Sequence, residues 1–132
     1  MFRLNQEGSA SVEFAVVLPL LMLLICGTIE FGVLFYNKQV IINASREAVR
    51  AGIAGADNAT MQQIASDYCG SRLIGLKNAI PAGSVIIVVT PPDAHNDLTV
   101  NVRFNYEFLF GAIVGIDQTQ VSGQTVMRME SL

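Results

Sequence analysis

The chain has 132 residues, 52% of them hydrophobic and 14% charged, with a formal net charge of −3 and a mean hydropathy of +0.47. That length suits one domain of ordinary size, and much of the apolar excess lies in residues 14–36, which marks a membrane protein with a small soluble part. Seven basic and eight acidic residues follow Tyr36, so no basic patch invites nucleic acid and no acidic tail suggests a solvated linker.

The apolar run opens on Gly8-Ser9-Ala10-Ser11-Val12-Glu13-Phe14, carries no charge from Phe14 to Ile29, and continues past Glu30 to Tyr36. About 20 apolar residues make one transmembrane helix. A secretory signal peptide has a shorter apolar core, roughly 7–15 residues, followed by a small-residue cleavage site. This run holds Pro19 and Glu30 and is followed by Asn37-Lys38-Gln39. The span is therefore expected to be kept, with the short stretch Met1–Gly8 as a removable leader.

A carboxylate in a span costs about 2.5–3.5 kcal/mol at mid-bilayer and less near the interface, so Glu13 calls for compensation. A cut at Gly8 would place a free cationic amine beside the next molecule's Glu13, and the chain then reads as a processed building block of a fibre. The plainer reading of Glu13 is an interfacial residue that snorkels to the headgroups. Glu30 lies 17 residues further on, about 100° round a helix, so the two carboxylates cannot serve one partner on one face. Glu30 then either contacts a partner helix or lies at the outer interface. Pro19 removes a backbone hydrogen bond; it is read equally as a device for local melting or as a tolerated transmembrane proline.

Arg3 is the one basic side chain before the span, whereas Lys38, Arg46 and Arg50 follow it closely. Taken alone, the positive-inside rule favours a cytoplasmic C-terminal part. The Gly8–Glu13 pattern favours the opposite orientation and is given priority.

Helical periodicity continues beyond the span. Val40, Ala44, Ala48 and Ala51 recur at spacings of four and three, with Arg46, Glu47 and Arg50 facing elsewhere. Gly52 and Gly55 offer an end, so one helix from Ser9 to about Gly52 is expected, roughly 65 Å long. A second helix is predicted with Asn58 as N-cap and Met61, Ile64, Ala65, Tyr68 and Cys69 as a single apolar stripe, ending at Gly70 or Gly75. Period two then takes over. Val85 to Thr90 is a β-branched run stopped by Pro91-Pro92, and Asp93–Asp97 is a turn cluster. Leu98, Val100, Val102, Phe104, Tyr106 and Phe108 alternate with polar residues, as in a strand of a sheet covered on one side. Gly111 to Ile116 is expected as a loop, and about Thr119 to Met129 as a third strand. The fold expected is α+β and pilin-like: a long transmembrane and stalk helix, a second amphipathic helix and a three-stranded antiparallel sheet. Its parts are a leader at 1–8, a transmembrane part at 9–36, an extramembrane continuation at 37–55 and a headgroup at 56–132.

Catalytic chemistry finds no constellation in the sequence. The single histidine, His95, lies in the turn cluster and reads as a polar turn residue rather than a metal ligand. There is neither a Gly-x-Ser-x-Gly elbow nor a glycine-rich phosphate loop. Cys26 lies in the apolar run and Cys69 far beyond it; each reads as a small buried hydrophobe, without disulfide framework or zinc pattern. No catalytic residue, metal or cofactor is expected, and the chain is not read as an enzyme.

Gly8-Ser9-Ala10-Ser11-Val12-Glu13-Phe14-Ala15, with Leu18-Pro19-Leu20 and Glu30-Phe31-Gly32, closely resembles the TadE-like pseudopilins, minor pilin-like components of the Tad (Flp, tight-adherence) pilus machinery. Residues 44–51 and the closing Val126-Met127-Arg128-Met129-Glu130 are also similar to that family. The resemblance is strong over residues 8–55 and loose over the sheet.

It implies that a membrane-embedded prepilin peptidase cuts after Gly8 on the cytoplasmic side, leaving Ser9 as the new N-terminus, where a residue without a side chain permits close approach. It also implies that Glu13, with Phe14 beside it, fixes axial register by pairing with a neighbour's Ser9 amine, an attraction strengthened when water is removed. The subunit would wait in the inner membrane with its headgroup in the periplasm. Implied partners are the prepilin peptidase, other Tad/Flp pilins and pseudopilins, and the inner-membrane assembly platform. Rival readings are a type II secretion pseudopilin, which usually has phenylalanine where Ser9 stands, and an uncleaved single-pass anchored interaction domain.

Overall fold

The computed structural model describes residues 6–81 and 83–130; the first five residues of the expected leader and the last two of the expected headgroup lie outside them. Its elements are α1 (Gln6–Ile53), α2 (Asn58–Gly70), β1 (Ile86–Thr90), β2 (Asp97–Glu107), α3 (Gly111–Val114) and β3 (Gln118–Arg128). The architecture is α+β, a long apolar helix with a second helix and a three-stranded antiparallel sheet in the order β1-β2-β3.

Helix α1 runs unbroken for 48 residues with Pro19 inside it, about 70 Å at 1.5 Å per residue. It begins earlier than expected, at Gln6 rather than Ser9, so residues 6–8 of the expected leader are helical. Its end follows the glycines: Gly55 takes a left-handed φ of 98° and donates its N–H to the Gly52 carbonyl at 3.0 Å. The N-cap of α2 is Asp57, not Asn58. Asp57 is extended and its carboxylate accepts the Thr60 N–H at 3.0 Å, which leaves Asn58 as the first helical residue. That hydrogen bond holds the Asp57 carboxyl below its ordinary pKa.

The helical halves differ in burial. Residues 8–25 are all exposed, whereas Val40, Ile41, Ala44, Ala48 and Val49 are buried. The second half of α1 packs with Met61, Ala65 and Cys69 of α2 against Leu98, Val100, Val102, Phe104 and Tyr106 of β2 and Val121 of β3. Full burial of one such large side chain stabilises by about 1.5–3 kcal/mol, which makes β2, with five inward residues, the main contributor from the sheet. Phe104, Tyr106 and Phe108 stack edge to face along it, with centroids 6.4 and 5.3 Å apart.

Strand β2 runs back along α1. Near its start Leu98 lies under Gly52. Midway, Val102 pairs with Gly123 of β3, and a Cβ on Gly123 would lie 2.9 Å from the Ile42 nitrogen. Just beyond its end, Leu109 reaches Glu30. The helical path from Gly52 to Glu30 is roughly 33 Å and the extended path from Leu98 to Leu109 roughly 36 Å. The two match, so the β2–β3 end of the headgroup is delivered to the apolar half of α1. The segment expected as a loop at Gly111–Ile116 contains the four-residue helix α3, closed by Gly115 at φ 81°.

Candidate functional site

Two features of α1 hold the candidate residues: its bare N-terminal half, and the point where the headgroup first grips it. On the bare half, Gly8, Ser9, Glu13, Phe14 and Pro19 are all exposed. Ser9 Oγ donates to Glu13 Oε1 at 3.4 Å, one helical turn away. Among the described residues, every position from Gly8 to Pro19 is exposed. Thr28 hides its hydroxyl by donating to the Leu24 carbonyl at 2.8 Å, a local bond that suits an apolar surrounding.

The grip begins at Glu30, 5% exposed and the first buried residue along the chain after Gly8. Its carboxylate accepts the backbone N–H of Leu109 through Oε1 and, at 3.3 Å, that of Phe110 through Oε2. Both donors sit in the turn between β2 and α3, where the chain leaves the ladder and would otherwise lack acceptors. The turn is closed by Phe108 N–H donating to the Asp117 carbonyl at 3.0 Å and Ile116 N–H to that of Gly111 at 2.9 Å. Gly111 is required here, because a Cβ would collide with the Ile116 carbonyl and approach the Phe108 side chain. The partner of Glu30 is thus its own headgroup, which neither expectation for this residue included.

Tyr106 lies beneath the same turn. Its buried hydroxyl meets no hydrogen-bonding partner among the described residues. Burial, and secondarily the nearby Glu30 carboxylate, raise the phenol above its ordinary pKa.

Three more polar side chains staple α1 to the headgroup. Asn37, fully buried, donates to the Ile74 carbonyl at 2.7 Å and accepts the Ile74 N–H at 2.9 Å, fixing the chain after α2 as a strand partner would. Ser45 donates to the Ile42 carbonyl at 2.7 Å and shares a 2.6 Å hydroxyl contact with Thr125. Lys38 donates to the Ser122 carbonyl. Sequence reasoning passed over Asn37 and Ser45. The signal was periodic: extending the Val40–Ala44–Ala48 stripe backwards by fours and threes reaches Asn37, Leu34 or Val33, and Glu30.

His95 sits in an exposed turn organised by Asp93, which accepts the N–H groups of His95 and Asp97 at 2.8 and 3.1 Å. These bonds, that to Asp97 foremost, lower the Asp93 pKa. Among the described residues no three His, Cys, Asp or Glu side chains converge as a metal site would need. Cys69 is fully buried, and desolvation pushes its thiol up to about 11.

Among the described residues, one helix is long and apolar enough to cross a membrane, within Gly8–Ile53. The family model described as TadE-like protein matches residues 8–50, a stretch that holds Gly8, Glu13, Pro19, Glu30, Asn37 and Ser45. No curated protein and no solved structure matches the chain.

Proposed function

The chain is TadE-like over residues 8–50, and from that premise we propose that it is a minor pilin, processed by a prepilin peptidase and acting in assembly of a Tad/Flp-type pilus. The observation that carries the reading is the division of α1. Its first half exposes large apolar side chains on every side, Val16 at 71% and Leu24 at 61%, while its second half is clamped to the headgroup. Such a surface is stable against lipid or against neighbouring helices, and a pilin uses first one and then the other.

The peptidase cuts between Gly8 and Ser9. That bond lies within the first turns of α1, so cutting requires local opening. Opening is cheap there, since the first N–H groups of a helix have no intrahelical acceptor and glycine holds a helix about 1 kcal/mol less well than alanine. The new Ser9 amine is cationic and seeks a carboxylate. Glu13 of the same helix lies one turn away, and in the assembly Glu13 of a neighbouring subunit takes the amine and sets the axial offset. An unpaired carboxylate buried among packed helices would be costly, so wrong offsets are rejected. Before assembly the subunit is a single-pass protein of the inner membrane with its headgroup in the periplasm, held there for the assembly platform and other pilins.

The test separates cutting from register. Glu13→Ala and Glu13→Gln should both be processed normally, and both should lower incorporation or assembly at least about tenfold, the equivalent of about 1.4 kcal/mol in pairing. Normal assembly by both variants would remove Glu13 from the mechanism.

A further inference from the structure

We propose that the β2–β3 connection is a second membrane contact, inserting Ile113, Val114 and Ile116 into the lipid leaflet on the headgroup side. From Phe108 to Ile116 the chain reads Phe-Leu-Phe-Gly-Ala-Ile-Val-Gly-Ile, nine residues without one polar or charged side chain. The three named residues are 71%, 66% and 54% exposed and stand together in one uninterrupted apolar segment, whereas other exposed apolar residues of the headgroup, such as Ile86, Val88 and Val126, lie on strands opposite polar neighbours. Water is a poor home for such a tip.

The fold places the tip at bilayer height. Val114 and Ile116 share a groove with Leu23, Leu24 and Gly27 of α1, all within the uncharged stretch of the span. Glu30 stands roughly 26 Å above Glu13 along the helix, against a hydrocarbon thickness of about 30 Å. Leu23 lies roughly 10 Å deeper than Glu30. The apolar tip is therefore continuous with the apolar surface of the span, which is what commits it to lipid.

Backbone hydrogen bonding fits the same placement. Irregular backbone is tolerated at membrane depth where its polar groups are satisfied within the protein. Here Glu30 accepts Leu109 and Phe110 N–H, and backbone carbonyls accept the N–H groups of Phe108, Ile113 and Ile116. The carboxylate at the span's edge thus substitutes for the water that the turn gives up. Gripping the helix and dipping into lipid are one arrangement.

This inference rests on the reading of α1 as a membrane span, and its test distinguishes the two. The full chain carrying Cys26→Ala is reconstituted in phosphatidylcholine–phosphatidylglycerol vesicles at low protein density, with one new cysteine at Leu20, Ile113 or His95 labelled with an environment-sensitive fluorophore. Cys69 stays in place, and the parent without an added cysteine must not label. Expected are blue-shifted emission and quenching by lipid-borne doxyl groups at Leu20 and at Ile113, with Ile113 quenched more by doxyl near the headgroup. His95, at the opposite end of the sheet, should be quenched by aqueous iodide. Lipid quenching at Leu20 with iodide quenching at Ile113 would overturn the inference and leave the span. Loss of lipid quenching at Leu20 would overturn both. An Ile113 label shielded from both quenchers would assign the tip to a neighbouring protein helix and refute lipid as its occupant.

Discussion

Removing the Glu30 carboxylate is the sharpest perturbation of the way the headgroup holds its helix. The carboxylate accepts two backbone N–H groups in a buried place. A buried donor left without a partner costs about 1–3 kcal/mol, so Glu30→Ala should weaken docking of the turn by about 2–6 kcal/mol. Glu30→Gln keeps one carbonyl oxygen but loses charge assistance, and about 1–3 kcal/mol is expected. The apolar core from Ile41 to Val121 is untouched, so the loss should appear first as local opening rather than global unfolding. Hydrogen exchange in detergent micelles reads this directly: Leu109 and Phe110 amides should lose at least about thirtyfold protection in Glu30→Ala, the factor for 2 kcal/mol, while Val100 and Val102 keep theirs. Unchanged protection at Leu109 and Phe110 would refute the role assigned to Glu30. The same variants bear on Tyr106, whose phenol is raised chiefly by burial and secondly by Glu30. In Glu30→Gln it should titrate lower than in the native chain. Its folded pKa lies above the unfolded value of about 10, so its contribution to stability is complete below pH 10 and is lost as pH rises through the folded pKa.

Gly123→Ala should destabilise the headgroup by about 1–3 kcal/mol in chemical denaturation, because the added methyl meets the α1 backbone at Ile41 and Ile42; a neutral effect would show that the sheet can shift away. Cys69 should resist alkylation at pH 8 in the folded protein and react on unfolding, read by peptide mass spectrometry. Between its unfolded value near 9.0 and its folded value near 11, the unfolded thiol ionises first, so stability should fall as pH rises through that window.

What the sequence made legible follows the range of the interactions concerned. The alternation from Leu98 to Phe108 named the buried face of β2 correctly, because a half-covered strand writes its burial every second residue. The Val40–Ala44–Ala48 stripe did the same for the helix. The caps were less readable: Asp57 and Asn58 are both good N-cap residues, and the chain's path into the helix chose between them. Glu30 was legible as an anomaly but its partner was not, since the bonded amides lie 79 and 80 residues away and belong to backbone, which has no side-chain signature. Asn37 and Ser45 were hidden because their polarity masks membership of an apolar stripe. The Gly8–Glu13 pattern lies in one stretch of chain and is visible without the fold; the role proposed for it rests on the family match over residues 8–50.

The central claim is that Gly8 marks a cut, and the mature N-terminus tests it most directly. A Cβ at Gly8 would meet nothing within 4 Å, so Gly8→Ala leaves the fold alone and reports on the peptidase. Expressed with its cognate prepilin peptidase and measured by intact-mass and N-terminal peptide mass spectrometry, the native chain should begin at Ser9. Gly8→Ala, and the native chain without peptidase, should retain residues 1–8. A native chain that begins at Met1 in the presence of the peptidase would contradict it.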